Sequence, residues 1–361
     1  MSKANIAAQR FYGIDLLRLL AAVYVIILHT LRRGGIYNAA VPDSYQFLSC
    51  QLLMSVSFCA VNLFGLISGY VGYSDSEKKH NFVSYGMLWL EVVFYGVLIS
   101  TGMMILFPGT ISFSSFFSSF FPVLNNHYWY FTSYTILFFF IPLLNSAVQR
   151  CSNHVLKTFF FFALFFFAPI ESFKSIFQTS CGYSFLWLMI LYLIGAIIRK
   201  LRIGHNINPS ILLSIIICSI FITFSIYYFT PKLNYCYSIE IDITFLEHYA
   251  FPFYLYPSIA YLLLFAKQKL CRPLQSIVSF ASPAAFAAYI ANVHPLIWNW
   301  MSNRFEAWGS SSVPGLLIRV IVFSFLFVIA VVIVDYFRRI LFRLLGIQKL
   351  LQSLAERIHI L

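Results

Sequence analysis

The chain alternates long apolar runs with short polar stretches. Runs near 13–31, 47–73, 83–107, 128–149, 155–171, 184–201, 209–229, 247–266, 276–302 and 314–338 are each comparable to the thickness of a bilayer. A helix crosses the hydrocarbon core with about 20 apolar residues. The runs are continuous and do not alternate in polarity, so they predict helices rather than barrel strands. In lipid the backbone must satisfy its own hydrogen bonds, which points the same way. The pattern predicts an all-α, polytopic integral membrane protein with about ten transmembrane helices.

The tail from Leu341 has a different pattern. Leu344, Ile347, Leu351, Leu354, Ile358 and Leu361 recur at three- and four-residue spacing, with Arg343, Lys349, Gln352 and Arg357 between them. This predicts a C-terminal amphipathic helix, lying on the cytoplasmic membrane face or packed under the bundle. The expected organisation is a transmembrane domain over 1–340 and an amphipathic cytoplasmic tail over 341–361, with no internal repeat.

Charge fixes the expected orientation. With the N-terminus inside, Arg32, Arg33, Lys174, Lys232 and Arg304 are the Lys/Arg residues of the outer loops. Arg18 and Arg319 fall within helices, and all the others are inside. The positive-inside bias is strong and favours an even number of helices, with both termini cytoplasmic. Composition agrees, with 60% hydrophobic residues and 10% charged and a mean hydropathy of +0.82. A soluble domain carries about 25% charged residues. The net charge of +12 would suggest nucleic acid in a soluble protein. Here it follows topology and contact with anionic membrane lipids, so no nucleic-acid partner is expected. The first apolar run carries Asp15, Arg18 and His29, unlike the clean core of a cleaved signal peptide. The expectation is a multi-pass protein of the cytoplasmic (inner) membrane.

Ionisable groups at membrane depth are costly and mark function. Asp15 and Arg18 are three residues apart, and His29 follows Arg18 by eleven. Eleven residues bring a helix about 20° past three turns and about 16 Å along its axis. One stripe of the first helix therefore carries an acid, a base and an imidazole, with small Ala22 between. The bland alternatives are an Asp15–Arg18 pair snorkelling at the inner interface and a packing role for His29. Other polar groups at depth are Asn62 and Ser68 in the second run and Glu91 in the third. Asn126, His127, Trp129 and Tyr130 open the fourth, and His294 precedes Pro295 in the ninth. The aromatics alone would also suit an interfacial belt, and His294 a capped kink.

Several chemistries are disfavoured. The seven cysteines contain no C-x-x-C, so a metal knuckle or redox pair is not indicated. There is no H-E-x-x-H, no G-x-S-x-G and no P-loop, which argues against a metal site, a serine hydrolase elbow and an ATP-driven pump. Cys181 and Cys236 fall on the expected outer face, where a disulfide would persist; both being free is the alternative.

The stretch Arg10-Phe-Tyr-Gly-Ile-Asp-Leu-Leu-Arg through His29 resembles the opening of the membrane acyltransferase family 3, polysaccharide O-acetyltransferase type. Phe64-Gly-Leu-Ile-Ser-Gly-Tyr70, His127-Tyr-Trp-Tyr, Ile141-Pro-Leu-Leu-Asn145, Tyr192-Leu-Ile-Gly-Ala-Ile-Ile-Arg199 and Ala288-Tyr-Ile-Ala-Asn-Val-His-Pro-Leu296 resemble later motifs of that family, in order. Where many members carry arginines at the start of helix three, this chain has Lys78 and Lys79. The fused hydrolase domain of some members has no counterpart in these residues.

The resemblance implies acyl transfer, usually of acetyl, from a coenzyme A thioester to a hydroxyl of a surface glycan or lipid-linked oligosaccharide. It implies acetyl-CoA as a donor substrate and no permanently bound cofactor or metal. His29 is then the expected base or a transient acyl carrier, and Arg18 and Asp15 complete the catalytic set. Asn62, Ser68, Tyr70, Lys78, Lys79, Glu91, Asn126, His127, Trp129, Tyr130 and His294 are the expected substrate-binding residues. The basic inner loops suit an anionic donor. A transporter or polysaccharide flippase is the competing class, and it predicts substrate movement without coenzyme A. A channel-forming scaffold is a third class. The other membrane acyltransferase superfamily would use His294 and leave the first-helix stripe without a role.

Overall fold

A computed structural model describes residues 10–75, 82–109 and 111–357. The chain is an all-α bundle. Helix α1 is Tyr12–Arg32; α2 and α3 are Tyr45–Ser57 and Ala60–Gly72; α4 is Phe82–Leu106; α5 is Trp129–Arg150; α6 is Asn153–Phe162; α7 is Phe185–Leu201 and α8 is Pro209–Tyr237. Then follow α9 (Pro252–Ala266), α10 (Arg272–Ala281), α11 (Ala285–Val293), α12 (Pro295–Met301), α13 (Val313–Leu344) and α14 (Ile347–Arg357). Among the described residues, nine helical stretches are long and apolar enough to cross a membrane.

The expected run at 184–201 is the one absent from those nine. It forms α7, a helix of 17 residues and about 26 Å, against a hydrocarbon core of about 30 Å. Ser184 caps it by accepting a hydrogen bond from the Trp187 N–H at 3.3 Å. The helix is buried along most of its length. It runs from the level of Tyr183, whose ring lies 4.5 Å from Tyr249, to the level of Arg199, which lies 4.4 Å above the Phe11 ring.

Tight packing places α7 against α3. A methyl at Gly69 would stand 1.9 Å from the Tyr192 carbonyl oxygen, and one at Gly195 2.2 Å from that of Leu66. Gly65 and Gly69 form the small-xxx-small spacing that lets membrane helices approach closely. Helix α1 lies at the centre, with Leu17, Ala21, Ala22, Ile26 and Leu31 fully buried. It packs against α2, α3, α9, α11 and α13.

Two expected helices are broken. The run 276–302 divides into α10, α11 and α12: at Pro283, which has no N–H to donate, a 3-10 turn over Ser282–Ala284 replaces α-helix while Ser282 stays helical (φ −60, ψ −29), and at Pro295 the preceding residue leaves helical backbone. His294, at the second break, has ψ 131. The run 47–73 bends between Ser57 and Ala60. At the other extreme, α13 continues to Leu344, and Gly346 (φ +63) separates it from α14. Arg10 Nη2 donates to the Ser279 carbonyl at 3.3 Å and Arg339 Nη2 to that of Phe280 at 3.0 Å. The first described residues and the end of α13 therefore meet the same end of α10. All seven cysteines are free, Cys181 and Cys236 included, and Cys236 lies in the last turn of α8 rather than in a loop.

Candidate functional site

The first-helix stripe carries two separate clusters, one at each end of α1. Asp15, 6% exposed, accepts from Arg10 Nε at 2.7 Å and from Arg18 Nη1 at 2.8 Å, one arginine on each carboxylate oxygen. Arg18 lines a half-open pocket on each of two sides. Below it is a neck cavity of about 390 Å³, walled by Arg10, Ile14, Asp15, Val71 and Pro283. Above it is an inner cavity of about 250 Å³, walled by Ser68, Tyr130, Tyr134 and Phe286. The pair thus borders two half-open pockets, which a simple snorkelling pair does not require.

His29 lies at the other end of the stripe. Its Nδ1 is hydrogen-bonded to Asn292 Oδ1, and Asn292 is fully buried. The Asn292 amide nitrogen points to Met301 Sδ at 3.4 Å. Turning the amide over would set its oxygen against the sulfur, acceptor against acceptor, so the oxygen belongs on His29. Nδ1 then carries the proton, and Nε2 keeps the lone pair that a base or nucleophile needs. Trp298 meets the His29 ring edge-on at 4.9 Å and 87°. Arg33 lies 5.4 Å from the Trp298 ring and donates to its carbonyl at 3.0 Å. The break before Pro295 is what swings α12 over the end of α1 and delivers Trp298.

The space above Arg18 ends in aromatic rings. Tyr289 lies 5.7 Å from Tyr130 and 6.0 Å from Phe286, centroid to centroid, and the Tyr130 N–H donates to its hydroxyl at 3.4 Å. Tyr289 precedes Asn292 by three residues on α11. Tyr289, which packs on the wall residues Tyr130 and Phe286, is therefore about one helical turn from the His29 partner.

The remaining expected residues divide into two groups. Ser68 and Tyr130 line the inner cavity. Tyr70 lies under Arg199 at 5.2 Å. Half-buried Trp129 stacks nearly parallel to Tyr249 at 6.2 Å and lies 5.1 Å from Tyr183. His127 is half-buried beside Tyr128, and desolvation lowers its pKa below the usual imidazole value. Asn126 is exposed, in a turn with φ +46.

The others make structural contacts away from this stripe. Asn62 is fully buried, donating to the Tyr249 carbonyl at 2.8 Å and accepting from Trp187 Nε1 at 2.9 Å, so it ties α3 to α7 and the start of α9. Glu91 pairs with Arg338 at 3.2 Å. His294 is 3% exposed, and its Nδ1 accepts from the Leu296 N–H at 3.3 Å. Lys78 and Lys79 lie outside the described residues.

Three groups emerge only from the packing. They are Asn292, the Asp335–Arg338 pair on α13 and the Arg199–Arg202 end of α7. No group of three or more metal-ligating side chains occurs among the described residues.

These features define a multi-span membrane protein whose central helix carries an arginine–carboxylate cluster at one end and, at the other, a histidine paired with an amide of α11. The chain belongs to the acyltransferase domain family, whose pattern it matches over residues 11–337. Membership carries an acyltransferase-type activity. No curated protein and no solved structure matches the chain.

Proposed function

We propose that the chain transfers an acyl group, acetyl in the simplest case, from a coenzyme A thioester to a hydroxyl of a surface polysaccharide or its lipid-linked precursor. The observation that carries this reading is the His29–Asn292 pair, which leaves His29 Nε2 as an available base. Nε2 takes the hydroxyl proton as the oxygen attacks the thioester carbonyl. The C–S bond breaks, and the thiolate leaves with the proton as free thiol. Arg18, with Asp15 and Arg10 behind it, is the donor-side group. His127, Trp129 and Tyr130 serve the acceptor side, where aromatic faces stack on sugar rings and polar edges bond hydroxyls. In this reading α7 is a tenth crossing, the basic ends of α1, α7 and α13 are cytoplasmic, and the protein sits in the inner membrane. Helix α14 lies along the cytoplasmic membrane surface with Leu350 and Leu354 toward lipid.

The test is incubation of membranes with labelled acetyl-CoA and acceptor glycan. Label should enter the glycan with the wild-type chain and not with His29→Gln at equal abundance. Normal labelling by His29→Gln would overturn the assignment of the base. Movement of unmodified glycan across the membrane without any acyl donor would favour a flippase.

A further inference from the structure

The C-terminal end of α1 carries two adjacent arginines with different surroundings. Arg32 Nη2 donates to Glu247 Oε1 at 2.6 Å, so its charge is balanced. Among the described residues, no carboxylate pairs with Arg33. Glu306, the acid that lies against Gly35, pairs with neither arginine. Arg33 Nε donates to the Trp298 carbonyl at 3.0 Å and Nη2 to Asn299 Oδ1 at 3.3 Å. Those bonds use the side edge of the guanidinium. A guanidinium has five N–H groups in a fixed fork. Both N–H groups of Nη1 and the second of Nη2 therefore remain, with no acceptor among the described residues. The end of the fork, Nη1 with Nη2, can grip a carboxylate or a phosphate through two parallel bonds.

This open fork stands beside His29. Arg33 follows His29 by four residues, and it keeps helical backbone, with φ −68 and ψ −35. It is therefore on the same face of the helix, one turn and about 6 Å further along the axis. Trp298 joins the two: Arg33 lies 5.4 Å from its ring centre, and the same ring meets His29 edge-on at 4.9 Å. His29, Trp298 and Arg33 are each only partly buried. An anion held by Arg33 therefore lies next to the histidine that the proposed chemistry uses.

We infer that Arg33 reads a negative charge on the acceptor, so the acylated glycan is anionic and carries a carboxylate or a phosphate on the reacting sugar or on the next one. The inference rests on the reading of the chain as a glycan acyltransferase with His29 as base. Spacing sets the register. A rise of about 6 Å between His29 and Arg33 is the scale of one sugar residue, so the attacking hydroxyl and the charge belong to the same residue or to neighbours. A cation also suits the C-terminal end of a helix, and the Trp298 bond pins α12 to α1. Neither role needs the end of the fork, and both leave it open.

Full-length protein in nanodiscs of neutral lipid tests this with labelled acetyl-CoA. The acceptor is the de-O-acylated surface glycan of the cells that carry the protein, offered untreated, carboxyl-reduced or dephosphorylated. The wild type should use the untreated glycan about tenfold better in kcat/KM than one of the two neutralised forms, the scale of a hydrogen bond to a charged group. The treatment that removes the preference tells carboxylate from phosphate. Arg33→Gln should bring the untreated glycan down to the level of that neutralised form. Arg33→Lys, which keeps the charge but loses the fork, should keep part of the preference. A wild type that acylates all three forms alike overturns the inference and leaves the acyltransferase reading standing. So does an Arg33→Gln variant that loses activity equally on all three, which makes Arg33 only a pin for α12. Where no form is acylated, the acyltransferase reading fails and calorimetric binding decides the inference. Tighter binding of the untreated glycan, lost in Arg33→Gln, supports it; equal or absent binding ends it. An Arg33→Gln effect that appears only in anionic lipid assigns the arginine to headgroups and ends it too.

Discussion

Asn292 presents its side-chain oxygen to His29 Nδ1 and its amide nitrogen to Met301 Sδ, so a buried neutral amide dictates which imidazole nitrogen is protonated. In the proposed reading the pairing does for His29 what a carboxylate does in hydrolytic triads, without placing a second charge in the membrane. Replacing Asn292 with Leu removes the acceptor and frees the ring to adopt either tautomer. The expected outcome is a fall in kcat of at least about a hundredfold, with donor KM nearly unchanged. Initial-rate kinetics over both substrates separates the two parameters. An equal loss of donor affinity would show that Asn292 supports the binding path rather than the base.

Trp129 marks the acceptor side in the proposed reading. Its ring stacks on Tyr249 at 19° and leaves part of its surface open. Trp129→Ala should raise acceptor KM by about threefold to tenfold, the scale of one aromatic contact, and leave donor KM alone. A matched rise in both constants would point to a general loosening of α5.

Close packing of α3 on α7 gives a prediction that does not depend on chemistry. Gly69→Val forces a side chain to within 1.9 Å of the Tyr192 backbone oxygen. Backbone cannot yield as a flexible side chain can, so the helices must separate, at a cost of about 1–3 kcal/mol or more. Gly102→Ala is the control, because nothing lies within 4 Å of its added methyl. Thermal unfolding in detergent should show a lowered Tm for the first and no loss for the second.

The helices were legible because lipid demands continuous apolar runs, and nearly every expected run matches a helix. The breaks were harder to read. Pro283 and Pro295 stand in the sequence, but hydropathy alone joins 276–302 into one run, and only proline's missing N–H and the extended backbone before Pro295 divide it. The Asp15–Arg18–His29 stripe was legible because charge at membrane depth is conspicuous. Asn292 was not, although it lies two residues before His294 in a motif already singled out. A neutral amide carries no charge signal, and a search for ionisable groups passes over it. Arg199 and Arg338 were sorted with loop cations. Which side of a helix end a charge faces is decided by tertiary packing, and in both cases it faces inward.

Arg338 yields the last prediction. It is 5% exposed and serves two acids, Asp335 Oδ1 at 2.7 Å and Glu91 Oε2 at 3.2 Å. Arg339 adds a contact to Asp335 Oδ2 at 2.9 Å, so two acids and two bases balance where α4 and α13 meet. Asp335 is fully buried. Removing one member of a buried ion cluster leaves the others uncompensated, which costs about 3–5 kcal/mol. Arg338→Leu strands two carboxylates with one arginine that is itself partly exposed, and it should lower Tm sharply. Glu91→Gln should cost less, because Asp335 still faces both arginines and the Glu91 Oε1 atom has no hydrogen-bond partner to lose. The double substitution Glu91→Gln with Arg338→Leu should recover part of the single-variant loss. Thermal unfolding of the four proteins in one detergent measures the coupling, and strict additivity would show that Glu91 and Arg338 do not interact.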